Sequence, residues 1–292
     1  MTSDDTAQTP ADLAIEVYTT PARTFVSATP PQAPDDEPTW SPMSATLIYG
    51  EHDAILVDTL ATYDQVDVLA DWIEAKGRRL SRIYITHGHG DHWLGLARLT
   101  QRFPGATGLA TAEVLAQAAD PAMAGYWEAL FPGEIPAAGE KVLPQLLTTG
   151  TLDLEGNELR VIRIGQADTA RSTVLHVPSL AAAVTGDLAY NQVHMMTAET
   201  GEPERTQWIT NLDAVAALDP AVVVAGHKKV HNGNDPKIIT ESQQYLRDFT
   251  RIAAQETTTA GIVTRMVDLY PSWENLRTLW HSARTAIARE NS

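Results

Sequence analysis

The sequence predicts an α/β fold in which mixed sheets form a sandwich with helices on the outer faces. Short apolar runs of strand length interleave with segments of helical period. The interleaving lacks the even rhythm of a repeated βαβ barrel. The most unusual residues, Thr86 to His92, fall between an apolar run and a helix-like segment, where an α/β protein usually keeps its site.

In chain order, residues 1–11 are acidic and polar and read as a flexible tail ahead of a single domain over 12–292. Alternating apolar and polar residues predict strands at Leu13 to Tyr18 and Thr24 to Val26, followed by a Pro- and Asp-rich loop over 29–39. Ser44 to Tyr49 and Ala54 to Asp58 read as a hairpin turned by residues 50–53. Thr62 is a candidate cap for a helix over 63–76, with Val66, Leu69, Ala70 and Ile73 on one face and Gly77 at its end. Arg82 to Thr86 then reads as a buried strand, and Trp93 to Phe103 as a helix. Residues 119–145, rich in Ala, Pro and Gly and carrying Tyr126, Trp127 and Phe131, read as an insertion or lid. Strands are expected at 159–164, 173–177, 181–185 and 221–224, and a helix at 205–218. The C-terminal region 236–292 reads as two or three helices broken near Thr257 to Thr259 and at Pro271.

Composition narrows the function. The 21 basic and 37 acidic residues leave a net charge of −16, which opposes a nucleic-acid partner because such binders need a basic surface. Cysteine is absent, so disulfides and thiolate ligands are excluded and any metal must be held by nitrogen and oxygen. No apolar stretch approaches the about 20 residues that span a bilayer, so a cytoplasmic protein acting on a small molecule, with no membrane partner, is the expectation; a homodimer is left open.

The segment His87-Gly88-His89-Gly90-Asp91-His92 places three imidazoles and a carboxylate within six residues. In an extended segment residues two apart point the same way, so His87 and His89 can grip one ion. A turn at Gly90 would carry Asp91 and His92 to a second position beside it.

This motif, following a buried strand, resembles that of the metallo-β-lactamase superfamily. Asp58, ending Ile55-Leu56-Val57, resembles the family's aspartate that steadies the metal loop from outside. Gly186-Asp187 is similar to its metal-bridging carboxylate, and Gly226-His227 to its late histidine. The resemblance implies a four-layer αββα sandwich of two mostly antiparallel sheets. It also implies one or two zinc ions, with iron or manganese as other candidates. His87 and His89 would serve site one, Asp91, His92 and His227 site two, and Asp187 both. The sequence departs from the family where a third site-one histidine is expected, because Gly165-Gln166-Ala167-Asp168 offers glutamine. Gln166 is a weak donor; Asp168 is the other candidate, or Asp168 and Thr169 simply form a turn.

Tyr190, three residues after Asp187, resembles the tyrosine that reaches the substrate carbonyl in lactone-cleaving members. Trp93, Trp127, Phe131 and His194, with Tyr126, Met195 and Met196, are candidates for a substrate wall. Lys228, Lys229 and Arg171 are candidates for binding an anionic group, against the plainer reading as surface charges. His176 reads as structural, and His52, His231 and His281 have no partner pattern. The leading expectation is hydrolysis of an ester or lactone, then an amide or β-lactam, with Asp91 and Tyr190 catalytic. The alternatives are an iron oxidoreductase of the same fold and a non-catalytic ligand-binding member, the latter favoured only by Gln166.

Overall fold

A computed structural model describes residues 10–24 and 39–290. Most of the expected tail, Phe25 and Val26, and nearly all of the Pro- and Asp-rich loop lie outside the described residues. Two sheets face each other. The first runs Ala14–Thr19, Ser44–Tyr49, Asp53–Val57, Arg79–Tyr84, Thr107–Ala110 and Gln145–Leu146 in spatial order. The second runs Val222–Val224, Ala182–Val184, Ser172–Val177, Asn157–Gly165 and Thr151–Leu154.

Between the sheets lies a core of Ile48, Ile55, Val57, Leu159, Leu175 and Val177, among others. These branched and aliphatic residues recur at alternate positions, as a half-buried strand requires. A second core packs the helices Tyr63–Glu74 and Leu96–Arg102 onto the first sheet. A third packs Glu202–Ala216 and the three C-terminal helices onto the second sheet. The result is the four-layer αββα sandwich.

The second sheet pairs antiparallel except where Ala182–Val184 meets Val222–Val224. The first sheet departs from the mostly antiparallel expectation, because Asp53–Val57, Arg79–Tyr84, Thr107–Ala110 and Gln145–Leu146 pair parallel in succession. All three connections of this kind carry helices, the crossover that parallel pairing demands. One outcome is that the strands Asp53–Val57 and Arg79–Tyr84 end side by side, so Asp58 and Thr86 emerge together.

Three local expectations change. Thr62 occupies the N-cap position, but its hydroxyl donates to Asp64 Oδ1 and Gln65 Oε1 and caps no backbone N–H. The helix expected over 93–103 is two pieces, Gly90–Trp93 and Leu96–Arg102. Gly95 N donates to Leu60 O at 3.0 Å, outside the helix, which interrupts the ladder there. Residues 119–145 contain a helix, Pro121–Leu130, capped by the Asp120 carboxylate. The C-terminal region forms Lys237–Ala253, Thr259–Leu269 and Leu276–Glu290. Among the described residues no helix is long and apolar enough to cross a membrane.

His194 is corrected here. It is fully buried in the third core, with Nδ1 3.1 Å from Tyr245 Oη and its ring near Trp273, and it does not line the site cavity. Burial lowers its pKa to about 4, below the unfolded value of about 6.5. Between those values the unfolded chain binds the extra proton, so the contribution is complete above pH 6.5 and is lost as pH falls towards 4. Wild type should therefore lose about 2 kcal/mol more than His194→Gln between pH 7.5 and 5 in urea unfolding. Equal losses in the two proteins would contradict this assignment.

Candidate metal centre

The site is assembled at the ends of strands from both sheets. Asp58, at the end of Asp53–Val57, is buried and adopts φ 61°. Its Oδ1 accepts from Thr86 N at 2.9 Å, and its Oδ2 accepts from Thr86 Oγ1 and lies 2.8 Å from His92 Nδ1. Thr86 Oγ1, whose own hydrogen goes to Asp58, lies 3.1 Å from His87 Nδ1 and is left to accept from it. His227 Nδ1 meets the Pro42 carbonyl at 2.8 Å, and His89 Nε2 meets Glu199 Oε1 at 3.0 Å. Each of the four imidazoles thus has one nitrogen tied outward. This places Nε2 of His87, His92 and His227, and Nδ1 of His89, on the inside.

The inward atoms form two groups. His87, His89, Asp168 and Asp187 converge in one, and Asp91, His92 and His227 in the other. Asp187 stands between them, with Oδ2 4.0 Å from His87 Nε2 and 3.2 Å from His227 Nε2, and Oδ1 3.4 Å from His92 Nε2. Asp91 Oδ2 is 3.4 Å from His227 Nε2, and Asp168 Oδ2 is 3.8 Å from His87 Nε2. Two ligands about 2.1 Å from a tetrahedral ion lie about 3.4 Å apart, and these separations bracket that value.

The donor set fits a metal by a second test. His87 Nε2, His92 Nε2 and Asp187 Oδ1 are buried without a hydrogen-bond partner, and buried Asp168 Oδ2 has only the His89 ring beside it. Buried polar atoms are ordinarily satisfied, and such atoms facing one another call for a cation.

Two glycines permit the close packing. A side chain at Gly90 would meet the Trp127 ring at 2.7 Å, and one at Gly226 would meet His92 and the Gly186 backbone at 3.0 Å.

The charges are interdependent. Burial opposes ionisation of Asp91 and Asp187, but His92 and His227 outweigh it and hold both carboxyls below their usual range. Burial likewise opposes charge on His92 and His227, but Asp187 and Asp91 raise them, His92 to about 9. His89 is raised against burial by Asp168 and then Glu199. His87 is lowered, by burial and then by His92. Burial raises Asp168 to about 6, with His89 opposing. The protonated imidazoles supply the positive charge these carboxylates require, and a divalent cation supplies the same charge while releasing protons.

The departure at Gln166 resolves into a division of labour. Gln166 Nε2 donates to Ala167 O at 2.8 Å, and Gln166 does not line the cavity above the site, whereas Asp168 does. Asp168 Oδ1 accepts from Thr169 N at 2.8 Å, the turn reading, while Oδ2 lies 2.8 Å from His89 Nδ1, the ligand reading. A register shift between Arg163 and Gly165, with Gly165 at φ 79°, turns the chain so that the carboxylate three residues on, Asp168, enters the site.

Above the metal groups lies a cavity of about 170 Å³. Tyr126, Trp127, Met196 and Tyr190 line it, whereas Met195, Trp93 and Phe131 do not. Trp93 is buried beneath the loop with Nε1 donating to Gly88 O, and Phe131 is buried behind Trp127, stacked on it. Tyr190 Oη donates to Asp187 Oδ2 at 2.8 Å and its ring stacks on His227, so its hydrogen is committed to the bridging carboxylate. Lys228 and Lys229 turn away to Asn234 and the Ser272 carbonyl, and Arg171 is exposed outside the cavity. His52 and His231 are exposed, and His176 is buried within its strand.

The sequence reasoning missed Glu199, Trp40 and the contribution of Asn275, Thr278 and His281, all of which line the cavity. They are remote from the motif along the chain, and none carries a spacing signal.

Residues 38–227 match the family model of the metallo-beta-lactamase superfamily. The chain belongs to that superfamily. A hydroxyacylglutathione hydrolase of Acidiphilium cryptum (strain JF-5) is 31% identical over 175 residues, covering 58% of this chain and 59% of that protein. The chain therefore matches less than two thirds of that relative's length. Among solved structures, a metallo-beta-lactamase from Pontibacter korlensis is similar in fold, with TM-score 0.59, 18% identity and coverage of 81% of this chain and 99% of that one. A metallo-beta-lactamase family protein from Thermus thermophilus also gives TM-score 0.59 and 18% identity, over 94% and 93% of the two chains. At such identities the likeness concerns the fold alone. Membership of the superfamily implies binding of a divalent metal, and the two clusters are the candidate ligands.

Glu199 orients His89 from outside the cluster, and loss of such a partner ordinarily costs about 10–100-fold in metal affinity. Glu199→Ala should lose metal to a competing chelator more readily by about that factor, whereas Glu199→Gln, still able to accept from His89, should retain most of it. Unchanged retention in Glu199→Ala would refute the role.

Proposed function

We propose that this chain is a zinc-dependent hydrolase of carboxylic esters, lactones foremost, and that its seven clustered side chains hold two ions. The carrying observation is the convergence of His87, His89, Asp168, Asp91, His92 and His227 about Asp187 at the base of a cavity, with His87 Nε2, His92 Nε2 and Asp187 Oδ1 buried and partnerless. The relative named as a hydroxyacylglutathione hydrolase supports hydrolysis as the reaction class. When bound, zinc lowers the pKa of a water to about 7 and polarises a carbonyl.

The chain's own residues do the rest. Asp91 lines the cavity and is held ionised by His92 and His227, so it can orient the attacking water and accept its proton. That proton goes on to the leaving alkoxide as the acyl–oxygen bond breaks, giving acid and alcohol for one water consumed. Tyr190, kept protonated by burial and by Asp187, secures Asp187 through its hydroxyl. A role on the substrate oxygen requires that hydrogen bond to be exchanged for one to the carbonyl.

A second reading has one observation in its favour. With Asp168 in place of a third imidazole, the first cluster holds two histidines and two carboxylates. This harder donor set suits iron or manganese better than three histidines would, and supports an iron oxidoreductase of the same fold. Oxygen consumption by iron-loaded protein, without ester hydrolysis by zinc-loaded protein, would favour that reading. The position of Asp168 among the clustered donors weighs against the ligand-binding alternative, whose one support was glutamine at 166.

Asp91→Asn, assayed at saturating zinc to offset the lost ligand, should lower kcat for a lactone about 100-fold or more; an unchanged kcat would remove Asp91 from the chemistry. Tyr190→Phe is expected to weaken metal retention more than it lowers kcat at saturating metal. The reverse pattern would place its hydroxyl on the substrate.

A further inference from the structure

We propose, resting on the hydrolase reading above, that the substrate is an uncharged ester carrying one ring-sized apolar group and an acceptor oxygen away from the scissile bond. The ionisable side chains lining the cavity are Asp91, Asp168, Asp187 and Glu199, with Tyr126, Tyr190, His89, His227 and His281. Among the described residues no lysine or arginine lines it, and the stretch 25–38 contains neither. Arg277 lies against Trp40, 5.3 Å from the ring centroid, and is outside the lining. A substrate carboxylate bound here would face Glu199 with no lysine or arginine in the cavity lining to pair with it, and burying an unpaired charge is strongly unfavourable. β-Lactams carry such a carboxylate and acylglutathiones carry two, so the cavity selects against both.

Shape and hydrogen bonding supply the rest. A cavity of about 170 Å³ is close to the ~150 Å³ that accommodates one benzene ring. One wall is Trp40, Met123, Tyr126, Trp127 and Met196, with Trp40 edge-on to Trp127 at 4.9 Å. That surface packs against a ring. Two donors in it, Tyr126 Oη and Trp127 Nε1, are buried without a hydrogen-bond partner. Trp127 is only 3% exposed, so a ligand is the source of its acceptor. A carbonyl or ether oxygen on the substrate satisfies these donors. Opposite, Asn275, Thr278 and His281 come from the C-terminal end of the chain. That end is fixed by Ser282 Oγ, which accepts from Thr197 N, and by Glu274 O, which accepts from His194 N.

The test uses three probes with the zinc-loaded full-length chain: phenyl acetate, 3-acetoxybenzoate, and the methyl ester of the latter. The methyl ester should exceed the benzoate in kcat/KM by about tenfold or more, and Met123→Lys, which adds a cation to the wall, should narrow that ratio at least about threefold. Tyr126→Phe should raise KM for the methyl ester about fivefold more than KM for phenyl acetate, which lacks the distal oxygen. Equal rates for the charged and neutral esters, or preference for the benzoate, would overturn the inference and leave the hydrolase reading standing. Equal KM changes for both neutral esters in Tyr126→Phe would overturn the recognition of the distal oxygen. No hydrolysis of the three while a lactone is cleaved would overturn the inference alone, and no hydrolysis of the three or of a lactone would overturn the hydrolase reading as well.

Discussion

The site depends on the carboxylate of Asp58. It emerges where two parallel strands end side by side and accepts from the Thr86 backbone, the Thr86 hydroxyl and the His92 ring. Through the Thr86 hydroxyl it also sets His87. One buried group therefore fixes the start of the metal loop and one imidazole from each cluster. Hydrogen bonds to a charged partner contribute about 1.5–3 kcal/mol each, enough to hold Asp58 at a positive φ that aspartate tolerates better than most residues. The parallel pairing in the first sheet is what brings these strand ends together.

From that anchor the chemistry follows by exclusion. Imidazoles tied outward by Asp58, Thr86, Pro42 and Glu199 have no freedom to turn away, and they leave one bare nitrogen each on the inside. Asp91, Asp168 and Asp187 meet those nitrogens in a volume closed to water on one side and open to the cavity on the other. Such a grouping is unfavourable without positive charge at its centre. The same charge balance excludes a second anion, so the electrostatics that call for a metal also restrict what can be bound above it.

Much of this was legible in the sequence because it is local. His87, His89, Asp91 and His92 lie within one turn of chain, and each partner, Asp58, Asp187 and His227, follows an apolar strand. Strand length and period show where those residues surface. The site-one substitution was half legible. The absence of histidine at 166 was visible, but whether 166 or 168 faces inward depends on a register shift and a turn at Gly165 that no spacing rule encodes. Glu199 and the Asn275 to His281 wall were illegible, because they reach the site only after the helices pack on the second sheet. Trp93, Phe131 and His194 show the opposite failure. Trp93 follows the motif, Phe131 belongs to the aromatic cluster of 119–145 and His194 follows Tyr190; those positions suggested a substrate wall, yet each residue is absorbed into a core.

The central claim is that Asp168, and not Gln166, completes the first of two metal positions. Its most direct test is metal content per chain, by elemental analysis, in zinc-loaded parent, Asp168→Asn and Gln166→Ala proteins after the same dialysis. The account predicts about two ions in the parent and in Gln166→Ala, and about one in Asp168→Asn, as a closed site needs its full ligand set. Loss of an ion in Gln166→Ala with none lost in Asp168→Asn would contradict it.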